Sequence, residues 1–328
     1  MERSKFNKWS KELKKVSVVI PTIGRIEYLD KAIESLLNQS IPFSEIIIFD
    51  NSIEQNIREL SKYKDNENLH WKKSGKQLDP INSWNMAVKT TSFEYVTVFG
   101  DDDIAYNEFH SYIQKNLEKS DFVYINYDIM DENDNITQHN DKNEVTYTSE
   151  EYRHLRMSNK LGLMIPGAVF KRVFFDTVKG YEDSGLTSFL YSDDLLYFKM
   201  ATLSGKITFS GKSLWKYRVH SGQIGNLKRL KDFSNSVPTY IEKLESSLLR
   251  LGVNEKLIYP QELGRERYIK KLISDRFFII IFKLYKAKEM KLTILNFYDL
   301  ILDKKLSRLD KLTVCINFLY KLGKKIVK

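Results

Sequence analysis

The run Tyr95-Val96-Thr97-Val98-Phe99 ends in Gly100 and three consecutive carboxylates, Asp101, Asp102 and Asp103, before Ile104. Its β-branched and aromatic residues have the composition and length of a strand. Three adjacent acids repel one another, so the place they occupy calls for a cation, most simply a divalent metal with oxygen ligands. In open α/β sheets, ligands bind beyond the carboxyl ends of the strands. The feature therefore points to a metal site holding a phosphorylated ligand. The plain alternative, a solvated turn or helix cap, suits Asp equally well, and the rest of the chain has to decide.

The apolar run Val16–Ile20, stopped by Pro21, reads as a buried first strand. Tyr28, Leu29, Ala32, Ile33, Leu36 and Leu37 then recur at helical spacing. Glu45–Phe49 reads as a second strand ending in Asp50, Ile53–Tyr63 as a helix, and Leu69–Trp71 as a third strand. A further helix is expected from Pro80, before the fourth strand at Tyr95. This alternation argues for an α/β fold with a parallel sheet covered on both faces. Asp50 and Asp101 then lie on one sheet edge, where distant residues converge on one ligand.

Farther along, Ile104–Leu117 is expected as a helix, Phe122–Tyr127 as a strand, and Asp128–Asn143 as a polar, exposed excursion. Ser149 suits a helix cap, Gly162–Gly167 a loop, and Ala168–Phe170 a resumed strand. Ser192-Asp193-Asp194 opens a helix with acids in its first turn. Ile207–Ser210 and Leu214–Val219 read as two strands before His220. After about Gly225 the chain turns to lysine-rich amphipathic helices, with Ile269, Leu272, Ile273, Phe277, Ile280, Ile281 and Leu284 at core-facing spacing. Leu312, Cys315, Ile316 and Leu319 repeat that pattern in the last helix. The expected division is residues 1–225 and a basic helical region, 226–328.

The net charge of +9 and the pI of about 9.2 suit an anionic partner: nucleic acid, an acidic membrane surface or a phosphorylated substrate. Cys315 is the one cysteine, which rules out an intramolecular disulfide. No apolar segment follows the charged start as a secretory signal requires, and the run Phe277–Phe282 is too short to span a bilayer. The expectation is a cytoplasmic protein, with its basic C-terminal region as the candidate contact to the inner membrane face. Gly211-Lys212-Ser213 lacks the upstream glycine of a phosphate loop, and no Cys/His array points to zinc.

Val16–Thr22, Asp50, the Asp101 cluster, Asp193-Asp194 and Arg218-Val219-His220 occur in an order that resembles the family 2 glycosyltransferases of the GT-A fold. The resemblance covers residues 16 to 225. It implies inverting transfer of a sugar from a nucleotide diphosphate, a UDP-sugar first, to a hydroxyl of a glycan or lipid-linked acceptor in bacterial capsule, lipopolysaccharide or related assembly. It also implies Mn²⁺ or Mg²⁺ as cofactor.

By that resemblance Pro21 and Thr22 line the nucleotide pocket, Asp50 holds the base or ribose, and Asp101 stands on the ribose side. Asp102 is the metal ligand, with Asp103 following it, and His220 approaches the metal or the diphosphate; Arg218 is a candidate to pair the diphosphate, the alternative being a solvated strand residue. Asp194 is the base, oriented by Asp193, which replaces the family's Glu. Trp84-Asn85 stands where relatives carry Arg-Asn, so Asn85 falls on the donor side and Arg25 or Lys76 is expected to supply the missing cation. The C-terminal helices are expected to serve as a packed subdomain, a contact with an anionic membrane, or a homo-oligomer contact. A nucleotidyltransferase would use similar acids but lacks its phosphate loop here, and a basic nucleic-acid-binding protein would not cluster acids in its groove.

Overall fold

A computed structural model describes residues 13–53, 56–161, 167–186, 189–220, 230–261, 263–286 and 288–326. The expected loop at 162–166 and Ser221-Gly222 lie outside the described residues. The chain divides into two compact units. The first comprises residues 1–150, 165–182 and 196–220, and the second 151–164, 183–195 and 221–328.

The first unit is built on one sheet. Its strands are β1 (Val16–Thr22), β2 (Glu45–Asp50), β3 (Leu69–Lys73), β4 (Tyr95–Val98), β5 (Ile104–Ala105), β6 (Phe122–Met130), β7 (Ile136–Gln138), β8 (Val145–Thr148), β9 (Ala168–Lys171) and β10 (Lys206–Arg218). The spatial order is β3-β2-β1-β4-β9-β6-β10-β5, with β7 beside β6 and β8 beside β10. The pairs β1–β2, β2–β3, β1–β4 and β6–β10 are parallel, while β9 runs antiparallel between β4 and β6. The sheet is thus mostly parallel, as the alternation of strand and helix requires.

Strands β1 and β2 are almost wholly apolar because helices cover them. Leu29, Ala32, Ile33 and Leu36 of α1 (Ile26–Leu37) enter one continuous core with Val16, Val18, Ile20, Ile46 and Ile48. Strand β1 continues through Pro21 to Thr22, past the expected stop. Its pairing with β4 ends at Val19, whose carbonyl accepts from the Phe99 N–H, and Pro21 faces that vacated side. The missing proline N–H therefore interrupts no ladder.

Three other segments differ from expectation. Ile53–Tyr63 contributes only the short α2 (Ile57–Leu60) among its described residues. Ile104–Leu117 opens with β5, which pairs with β10, and turns helical only in α4 (Phe109–Asn116). The two late strands are one, β10, with irregularities between Phe209 and Trp215. Helix α3 (Pro80–Lys89) begins as expected, capped by Asp79 accepting from the Asn82 N–H at 3.0 Å. Three further helices complete the central region: α5 (Ser149–Met157), α6 (Arg172–Thr177) and α7 (Ser192–Leu203).

The second unit holds the long helices α8 (Leu230–Arg250), α9 (Gly264–Lys286), α10 (Met290–Leu302) and α11 (Arg308–Ile326). Leu272, Ile273, Phe277, Ile280 and Ile281 are buried as their spacing requires. The last helix corrects the sequence reading. Val314 and Phe318 face inward, while Leu312, Ile316 and Leu319 are exposed and Cys315 is half-buried.

Candidate active site

The carboxyl ends of β2, β1 and β4 lie side by side, and the first unit's polar residues gather there. Thr22 is in register with Asp50, and its carbonyl accepts from the Asn51 N–H at 2.9 Å. Across the other edge of β1, Thr22 Oγ1 donates to Asp101 Oδ2 at 2.7 Å. The Arg25 guanidinium, delivered by the turn into α1, bridges two acids of the cluster. One amino group donates to Asp101 Oδ1, and Nη1 donates to Asp102 Oδ2 at 2.8 Å.

His220 completes this group, following β10. Its Nε2 stands 2.9 Å from Asp102 Oδ2 and 2.8 Å from Arg25 Nη1. One ring nitrogen cannot both donate to the carboxylate and accept from the guanidinium. Arg25 Nε is also buried without a hydrogen-bond partner among the described residues. The group is thus a carboxylate and an imidazole converging on one point, with a cation against them. Burial alone would lower the Arg25 pKa, but Asp101 and Asp102 outweigh it and raise it. Burial pushes the Asp101 carboxyl upward against the pull of Arg25, and it pushes Asp103 well up with the charge of Asp102 adding to the effect.

Asp103 does not face this point. Its Oδ2 accepts from Trp215 Nε1 at 3.0 Å and its Oδ1 from the Arg218 N–H at 2.9 Å, both at the end of β10. Its expected metal role gives way to a structural one, tying the acidic turn to the sheet. Gly100 is needed for that turn, because a Cβ there would stand 2.7 Å from Asp103 Oδ2. Arg218 likewise departs from its expected reach to a diphosphate. Its side chain is fully buried, donates Nε to the Asp102 carbonyl at 2.7 Å, pairs with Asp134 at 2.5 Å and lies over the Tyr28 ring. It buttresses the acidic turn from behind.

Asp50 is buried. Its Oδ1 accepts from Ser52 Oγ at 2.6 Å and from the Ser52 N–H at 2.8 Å, and Lys73 of β3 stands 3.6 Å from Oδ2. Pro21 is half-buried between Ile20 and Thr22. Asn85, expected beside the donor, instead clamps a turn. Its Oδ1 accepts from the Tyr181 N–H at 2.7 Å and its Nδ2 donates to the Tyr181 carbonyl at 2.9 Å. The residue that positions Gly180-Tyr181-Glu182 was therefore visible in the sequence, but under another role.

Asp193 and Asp194 belong to the second unit, in the first turn of α7. Asp194 is almost fully buried. Its Oδ2 accepts from Arg156 at 2.5 Å and from the Tyr240 hydroxyl at 3.1 Å, both of the same unit. Arg156 is itself buried, and its pKa stands well above the ordinary value: burial opposes this, and the Asp194 charge overcomes it. Asp193 is half-buried, its Oδ1 accepting from the Asp194 N–H at 2.8 Å. Burial, then the Asp194 charge, raise its pKa from 3.8 to about 7. Arg156 and Tyr240 carry no sequence signal: one is an arginine in a polar helix, the other a tyrosine in an amphipathic one.

The mostly parallel sheet with its flanking helices has the GT-A fold. Residues 17–178, just under half the chain, match the family described as Glycosyl transferase family 2, and the resemblance drawn from the motifs holds over that segment. An uncharacterized glycosyltransferase of Rickettsia bellii is 30% identical over 112 residues, 34% of this chain and 16% of that protein. Chondroitin synthase of Pasteurella multocida is 30% identical over 117 residues, 34% of this chain and 12% of that protein. The chain thus spans less than a fifth of the length of these two curated relatives. The crystal structure of S. aureus TarS 1-349 in complex with UDP-GlcNAc superposes with a TM-score of 0.55 at 16% identity, covering 87% of this chain and 90% of that one.

Proposed function

We propose that this protein is an inverting glycosyltransferase that moves a sugar from a nucleotide diphosphate donor, a UDP-sugar, to a hydroxyl of a bacterial surface glycan or its lipid-linked precursor. The observation that carries the reading is the convergence of Asp102 Oδ2, His220 Nε2 and Arg25 Nη1 within 2.9 Å of one another, at the sheet edge where nucleotides bind in such folds. Support for UDP comes from the TarS complex, whose fold this chain shares, and support for a glycan acceptor from the similarity to chondroitin synthase.

Thr22, Asp50 and Asp101 hold the nucleoside side of the donor. Among the described residues no three ligating side chains converge. A divalent cation would be held here by Asp102 and His220, and Mg²⁺ or Mn²⁺ would suit such an oxygen-rich site beside a diphosphate. When bound, it supplies positive charge to the departing diphosphate. Arg25, already on both acids, adds a second cation at the same place.

The acceptor hydroxyl gives its proton to a carboxylate as its oxygen attacks the anomeric carbon. The bond to the diphosphate breaks on the opposite face, and UDP leaves with the electron pair, so one base suffices. We assign that base to Asp193 and an anchoring role to Asp194. Asp193 is the more accessible of the two and is poised near neutrality, whereas Asp194 is engaged by Arg156 and Tyr240. Calorimetric titration with UDP, with and without Mn²⁺ and with GDP and CDP as competitors, tests the donor. Tight, metal-dependent binding selective for UDP is the expected result. Absence of binding by every nucleotide diphosphate overturns the reading.

A further inference from the structure

Helix α10 is inside out. Its buried face consists of Thr293, Asn296, Asp299 and Leu300, with Asn296 completely buried. Its opposite face presents Ile294, Tyr298, Ile301 and Leu302 to solvent, with Ile294 and Ile301 each 63% exposed. Buried polar groups together with exposed large apolar ones reverse the usual distribution and call for an explanation. The orientation is pinned. Asn296 Oδ1 accepts from the Leu230 N–H of α8 at 2.9 Å, so the helix cannot roll its apolar face inward without orphaning that buried donor.

Helix α11 repeats the arrangement by different means. Its inward face is apolar, with Phe318 packed on Phe282, Tyr285 and Phe297 at ring distances of 6.2, 5.5 and 5.2 Å. Its outward face is apolar as well. Leu309, Leu312, Ile316 and Leu319 recur at three- and four-residue spacing, and Leu309 is 72% exposed. A short link joins the two helices, and Lys311 Nζ donates across it to the Ile301 carbonyl at 2.7 Å.

Charge identifies what covers this hairpin. From Glu289 to Lys328 the sequence has nine Lys and Arg against four Asp and Glu. Of the four acids, Asp299 is buried and Asp310 is engaged by Ser307. Lys291, Lys304, Arg308 and Lys321 are exposed, and none forms an ion pair among the described residues. A second copy docking face to face would set these cations against their own counterparts, an arrangement that interfaces avoid. An anionic bilayer offers complementary charge and an apolar layer together. No described helix is long and apolar enough to cross a membrane, so the mode is interfacial.

We propose that the α10–α11 hairpin docks on anionic lipid bilayers, its isoleucines and leucines entering the headgroup boundary and its lysines and arginine contacting lipid phosphates. The hairpin belongs to the second unit, and the proposal does not depend on the nucleotide pocket proposed for the first.

Flotation of the full chain with phosphatidylcholine vesicles, with and without phosphatidylglycerol, tests this. The expected result is binding only when phosphatidylglycerol is present, weakened by salt. Ile294→Glu with Ile316→Glu, both on exposed positions, should lower partitioning at least about tenfold while leaving the melting temperature and UDP affinity unchanged. Lys291→Glu with Lys304→Glu should lower it by roughly as much. Equal binding to neutral vesicles, or none to either, overturns the proposal. So does a dimer in sedimentation at micromolar concentration that the isoleucine variant dissociates, which would assign the face to a second copy. Failure of UDP binding in the unaltered chain would remove the enzymatic reading and leave this one standing.

Discussion

Arg156 and Asp194 form an ion pair in which both side chains are all but inaccessible, 2.5 Å apart and capped by the Tyr240 hydroxyl. Such a pair contributes little net stability when complete, yet removing one partner strands a buried charge, at about 3–5 kcal/mol. Asp194→Asn should therefore lower the unfolding midpoint in urea by an amount matching roughly that loss. A second substitution, Arg156→Met, should restore most of it. If Asp194→Asn melts like the unaltered protein while transfer is abolished, Asp194 is the base and its pairing with Arg156 is incidental.

Asp193 gives a pH dependence of definite sign. Its carboxyl binds a proton more tightly in the fold, at about 7, than its ordinary 3.8. The folded state then holds a proton that the unfolded state has lost, and stability falls as pH rises between those values. Asp193→Asn removes the titration, so the variant should gain melting temperature relative to the unaltered protein at pH 8 and not at pH 4. Transfer should show the reverse trend, because only the carboxylate accepts a proton. The acidic limb of kcat should rise through about pH 7 and disappear in the residual activity of Asp193→Asn, which is expected to be 10²- to 10⁴-fold lower. A limb that persists unchanged in that variant would exclude Asp193.

At the Asp102–His220 group, Asp102→Ala should abolish the gain in UDP affinity that Mn²⁺ provides, and His220→Ala should reduce it while leaving metal-free binding close to normal. Arg25→Ala should weaken binding without metal more than binding with it, since it removes the cation that already stands on the acids. Calorimetry with and without Mn²⁺ separates these outcomes. Equal losses in both conditions for Asp102→Ala would mean that the acid serves only to hold Arg25.

What the sequence conveyed was what local chemistry encodes. Strand runs such as Val16–Ile20 and the helical spacing of α1 are dictated by burial on one face, and so they were legible; the acidic turn after β4 announced itself by its improbable charge. Side-chain direction was not legible. Asp103 and Arg218 carry the right charges for a site, yet both turn into the protein because β10 brings Trp215 and the Arg218 N–H beneath the turn. Arg156 lies 38 residues before Asp194, and no periodicity links them. In α11 the apolar spacing at Leu312, Ile316 and Leu319 was real but faced outward, since a helix with two apolar faces gives no local indication of which one is buried.

Gly180 and Asn85 provide a test of how the turn before α7 is held. Gly180 has φ of +73°, a region that side chains with a Cβ disfavour, and a Cβ there would meet Asn85 Oδ1 at 2.2 Å and Phe175 at 2.8 Å. Asn85 cannot yield without breaking the two hydrogen bonds by which it fixes the Tyr181 backbone. Gly180→Ala should thus lose stability from backbone strain and from the broken clamp together, about 2–4 kcal/mol. Asn85→Ala should lose about 1–3 kcal/mol from the unpaired backbone groups alone. Because both act on one contact, the double variant should lose less than the sum of the two single losses. Urea unfolding of all three variants measures this, and strict additivity would mean that the turn is held by the Tyr181 ring, packed 5.3 Å from Trp84 and 6.0 Å from Phe175, instead of by Asn85.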